Sequence, residues 1–126
     1  MMTFDEFWDD IIEYSLELNY KYHEYKSTFK QANGCGAKGS IKVPDHFLWL
    51  YITATCNIHD IEWHLAKNHD DLIKANQRWR RNMEKIIDQK SANWLMVRLR
   101  RRLAYRYYTE VKMIGTNSYA KDRGFL

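Results

Sequence analysis

Breakers of regular structure are scarce in this chain of 126 residues, which has one proline and five glycines. With so few enforced turns, long helices are the expectation. Three of the glycines fall in one stretch, NGCGAKGS (Asn33 to Ser40), which therefore reads as a loop. No apolar run approaches the roughly 20 residues that a helix needs to span a bilayer. The start, MMTFDEFWDD, is acidic and lacks the basic and apolar regions of a secretory signal, so no export address is visible, and both export without one and a signal already removed stay open. Two cysteines neither demand nor exclude a disulfide in a chain of this size.

Aromatic and aliphatic residues are plentiful, at 45% hydrophobic and 15% aromatic, enough to bury the core of one globular domain spanning residues 1–126. From Thr3 to Lys30, Phe4, Trp8, Ile11, Leu18, Tyr22, Tyr25 and Phe29 recur at helical spacing, with Ser15 the polar exception, which reads as one helix or as two that meet near Asn19. After Pro44, the apolar run Phe47 to Ile52 is too short and unpatterned to assign. A helix is expected from Thr53, as N-cap, to about Lys67. Another follows Asn68 as cap, with Asp70 and Asp71 complementing its dipole and Leu72, Ile73, Trp79, Met83, Ile86 and Ile87 as its apolar stripe. A third follows Ser91 through Trp94, Leu95, Leu99, Leu103, Tyr107 and Val111 to Gly115, leaving residues 116–126 as a docked or frayed tail. The fold class expected is all-α.

The net charge of +4 is concentrated in Arg78 to Arg81 and Arg98 to Arg106. A basic surface suits an anionic partner such as phospholipid headgroups, nucleic acid or an acidic protein. For any single arginine, a solvated helix face is the simpler reading.

Within TCNIHDIEWH, the residues Cys56, His59, Asp60 and Trp63 stand at i, i+3, i+4 and i+7 and share a helix face. Asn76 interrupts the apolar stripe of the next helix, and a buried amide must find a partner. In an antiparallel helix pair it can face His59 and orient the ring, or it can serve a nearby backbone group. The two histidines of HDIEWH are five apart, not the four of a zinc-protease helix, so a zinc site is not expected. Cys56 as a nucleophile activated by His59 is a subsidiary possibility.

The ordered set NGCGAKG, VPDHF, TCNIHDIEW, KANQRWRRNM and RLAYRYYTEVKMIG resembles the phospholipase A2 superfamily, especially its small bacterial, phage and fungal-type members. The similarity covers residues 33–115, with 1–32 an N-terminal helical segment outside it. The resemblance implies a long N-terminal helix, a glycine calcium loop, an antiparallel pair of site-bearing helices and a long C-terminal helix. It implies that His59 is the general base that activates water, and that Asp60 binds Ca2+ with backbone carbonyls of about Gly34, Gly36 and Lys38. It also implies a disulfide between Cys35 and Cys56. The family orients its histidine with an aspartate steadied by a tyrosine; the matching positions here are Asn76 and Trp63. Lys38 stands where the family often has glycine.

The function expected from the resemblance is calcium-dependent hydrolysis of phospholipid esters, the protein sitting peripherally on an anionic membrane through its arginines. A second expectation is a binding or toxin-like module with the same scaffold and weak turnover. A third is a basic helical nucleic-acid binder, disfavoured because the second arginine cluster is contiguous and not spread along one helix face.

Overall fold

A computed structural model describes Cys35, residues 37–38 and residues 41–126. The helix expected from Thr3 to Lys30 and the glycines at 34 and 36 lie outside the described residues. The described chain is mostly helical, as the scarcity of breakers requires, and carries two small antiparallel ladders that the sequence does not announce. Strands β1 (Ala37–Lys38) and β2 (Ile41–Lys42) pair Lys38 with Ile41, so part of the expected glycine loop is extended strand. Strands β3 (His46–Phe47) and β4 (Leu50–Tyr51) pair Phe47 with Leu50 across a two-residue turn.

That turn is Leu48-Trp49, with φ of 48° and 67°. Two consecutive left-handed residues are what a tight hairpin needs, but the usual occupants are Asn and Gly. The strain is offset by Arg100, which is buried and donates to the carbonyls of Phe47 (3.2 Å) and Leu48 (2.6 Å) and to Ser91 Oγ (3.0 Å). Phe47 also stacks on Tyr107, with ring centroids 5.7 Å apart.

Helix α1 (Thr53–Leu65) starts as soon as β4 ends. Only Ile52 separates them, so Ile52 and not Thr53 is the N-cap, and its backbone N–H donates to Asp45 O (2.8 Å). Helix α2 (His69–Lys90) begins as expected at Asn68, whose side chain accepts from Asp71 N. It buries Leu72, Ala75, Asn76, Trp79, Met83, Ile86 and Ile87, with Asn82 also inside. The short link between α1 and α2 makes them antiparallel.

Helix α3 (Trp94–Glu110), capped by Asn93, buries Arg100, Ala104 and Tyr108. This corrects the expected apolar stripe: Trp94 is 73% exposed, and Leu95 and Leu99 also face solvent. The reason is Arg100, whose hairpin bonds turn the helix by about one residue, while Leu103 and Tyr107 pack at the margin of the core. Gly115 does not end the helix. A π turn over Val111–Gly115 carries the chain into α4 (Thr116–Asp122), so most of the expected tail is helical. The terminator is Gly124, at φ 75°, where the N–H groups of Gly124 and Phe125 return to the carbonyls of Lys121 and Ala120 in a Schellman motif.

Many of the basic residues are cross-links between helices. Arg78 pairs with the buried Glu62 (2.8 Å), joining α2 to α1. Arg101 on α3 reaches Glu84 (3.0 Å) and Asp88 (2.6 Å) on α2, and its hydrogen bond to Asp88 is the main cause that raises its pKa further. The Arg80 guanidinium lies 5.1 Å from the Tyr105 ring and 5.4 Å from that of Tyr108. No described helix is long and apolar enough to cross a membrane.

Candidate functional site

His59, on the inner face of α1, is fully buried. Its Nε2 lies 2.6 Å from Oδ1 of Asn76, on the facing side of α2. The same Oδ1 accepts the indole N–H of Trp63 at 3.1 Å, one turn along α1 from His59. The amide nitrogen of Asn76 donates to Thr116 Oγ1 (2.7 Å) at the start of α4, and that hydroxyl donates to Val111 O (2.8 Å). Of the two roles open to Asn76, the structure thus has it facing the histidine.

The imidazole is held between indoles. Its ring is nearly parallel to that of Trp79 (16°) and tilted against that of Trp63 (52°), each with centroids 4.7 Å away. Aromatic faces attract cations, by up to about 2 kcal/mol where water is excluded, whereas burial of the ring opposes a charge on it. Trp79 serves the core and also forms one wall of the site.

Asp60, next along α1, is part-exposed. The Cys35–Cys56 disulfide implied by the resemblance is present, with Cα atoms 5.0 Å apart. Cys56 lies about one helical turn before Asp60, so the disulfide brings the neighbourhood of Cys35 to the start of the site-bearing face. Asp45 adds a second tether, its Oδ1 accepting from Cys35 N (2.9 Å). A disulfide-bonded Cys56 is not a nucleophile. Lys38 sits in the β1–β2 ladder.

Of the calcium ligands that the resemblance implies, Asp60 and Lys38 lie among the described residues and Gly34 and Gly36 do not. Among the described residues no three His, Cys, Asp or Glu side chains cluster as metal ligands. A single carboxylate supplemented by backbone carbonyls would suit a hard, oxygen-seeking cation such as calcium and not zinc.

No family model, curated protein or solved structure matches the chain.

Several residues of the site were not singled out in the sequence. Thr116 closes the hydrogen-bond chain behind Asn76. The Tyr119 ring lies tilted against that of Trp63 (centroids 4.7 Å apart, 32° between planes), and its hydroxyl donates to Trp63 O (3.2 Å). Arg123 donates to the carbonyls of Trp63 (3.2 Å) and Ala66 (3.0 Å), occupying the C-terminal end of α1 where a cation is favoured. Thr116, Tyr119, Ala120 and Arg123 stand at i, i+3, i+4 and i+7, a helical stripe masked by the glycine just before it.

Proposed function

We propose that this protein is a calcium-dependent hydrolase of phospholipid esters, acting at an anionic membrane surface. The observation that carries the proposal is the 2.6 Å contact between His59 Nε2 and Asn76 Oδ1, made by a histidine that directly precedes Asp60. An acceptor behind one ring nitrogen leaves the other as the base. In the proposed reaction, Nδ1 of His59 takes a proton from water as the water oxygen bonds to the ester carbonyl carbon. The carbon–oxygen bond to the leaving alkoxide then breaks, and the proton passes to that oxygen, giving a fatty acid and a lysophospholipid. Bound calcium, with Asp60 and the carbonyls of about Gly34, Gly36 and Lys38 as its proposed ligands, would stabilise the oxyanion as a Lewis acid.

Asn76 can accept a hydrogen bond from the imidazole N–H but cannot offset the charge of an imidazolium as a carboxylate would. The face of Trp79, stacked on the imidazole, would supply part of that stabilisation. The test is fatty-acid release from mixed anionic vesicles, with calcium and with excess chelator, beside His59→Gln. Release that needs both calcium and His59 is expected; equal release by the variant would remove His59 as the base.

The amide at position 76 also favours a second reading, a recognition module of the same architecture with little turnover. Calcium binding without any release would favour it. Arg78, Arg80, Arg100, Arg101 and Arg106 have partners within the fold, so a basic face for nucleic acid or for an anionic membrane would rest more on the exposed Arg98 and Arg102.

A further inference from the structure

The hydrogen bonds behind His59 have a direction, and it is set at their far end. Val111 O can only accept, and it takes the Thr116 hydroxyl proton across the π turn. Having donated there, Thr116 Oγ1 meets Asn76 as an acceptor, so the amide atom 2.7 Å away must be the NH2 nitrogen. Oδ1 is then on the other side, where the Trp63 indole and His59 Nε2 converge on it. An oxygen accepts, so Nε2 carries the proton and the neutral ring keeps its lone pair on Nδ1.

This constraint matters because the residue is an asparagine. An aspartate has two equivalent acceptor oxygens and needs no orienting. An amide turned over by 180° occupies nearly the same volume, but it would aim N–H at Nε2 and reverse the tautomer. The π turn is what brings the remedy into reach. Val111 O accepts the backbone N–H of Thr116, five residues on, in place of the residue four on, which rotates Thr116 relative to a regular helix. Trp63 acts from the opposite end. An indole only donates, whereas a tyrosine hydroxyl would tolerate either orientation of the amide.

We infer that Thr116 is a positioning residue for the His59 base. Held by the π turn, it fixes the Asn76 amide from one end while Trp63 fixes it from the other, and together they keep Nδ1 of His59 unprotonated. The catalytic consequence rests on the hydrolase reading, but the tautomer does not.

The test is long-range proton–nitrogen NMR of the protein labelled with 15N-histidine, at a pH where His59 is neutral, its signals identified by their loss in His59→Gln. A single form with protonated Nε2 is expected. Thr116→Val should populate the form protonated at Nδ1, and Thr116→Ser should restore the original spectrum. In the Thr116→Val background, Asn76→Asp should also restore it, because a carboxylate has no donating edge. If vesicle hydrolysis is present, Thr116→Val should lower kcat about tenfold with KM unchanged, the size of one lost hydrogen bond. A wild-type ring protonated at Nδ1 would overturn the inference whether or not any variant folds. So would a Thr116→Val protein with an unchanged tautomer. Failure of hydrolysis with the expected spectra would overturn the hydrolase reading and leave this one standing.

Discussion

At Asn76 two donors share one oxygen in a space closed to water, so the residue answers for more than its own hydrogen bonds. Asn76→Leu would leave the His59 and Trp63 N–H groups without that acceptor. The expected cost is about 3 kcal/mol or more, read as a lower denaturation midpoint at unchanged m-value. If the protein hydrolyses phospholipid as proposed, Asn76→Asp should raise the rate of fatty-acid release by adding a charge that stabilises the imidazolium. Unchanged or lower release would mean that the indole face of Trp79 already suffices. The pairing of Asn76 with His59 was legible as a possibility because a polar residue broke an otherwise apolar stripe. Thr116 was not, because it lies 40 residues away from Asn76 in sequence and behind a glycine that looked like a helix end.

Elements with local signals were read well, and those shaped by tertiary contacts were not. Helix α2 has its cap, its first-turn acids and its stripe in one continuous segment, and all three are found where the sequence puts them except Ile73, which is only half-buried. Helix α3 is rotated because an arginine prefers two carbonyls in the hairpin to solvent. The β3–β4 hairpin was invisible because Leu48 and Trp49 carry none of the chemistry of a tight turn. Replacing them with Asn-Gly should therefore raise stability by about 1–2 kcal/mol in chemical denaturation. A loss would mean that the half-buried Leu48 side chain contributes more than its backbone strain costs. At the other end, Arg123→Ala should speed hydrogen exchange in the last turn of α1, since its guanidinium occupies carbonyls there. An unchanged rate would show that Tyr119 holds that end alone.

The molecule as a whole is fastened at both ends of α1. The disulfide joins Cys56 to Cys35 near its start, and α4 clamps its finish through Tyr119 and Arg123. Closing a loop between cysteines 21 apart is worth roughly 3 kcal/mol in the chain-entropy model. Reduction should lower the melting temperature of the protein, while His59 keeps its contact with Asn76, which does not involve the sulfur atoms. The clamp at the other end has a consequence in time. Chains emerge from the ribosome in order and fold progressively, and the helix bearing Thr116, Tyr119 and Arg123 follows every other part of the site. A nascent chain thus carries its histidine and carboxylate long before their support is complete. The hydrogen-bond network around His59 would therefore be completed only when the last helix has been made.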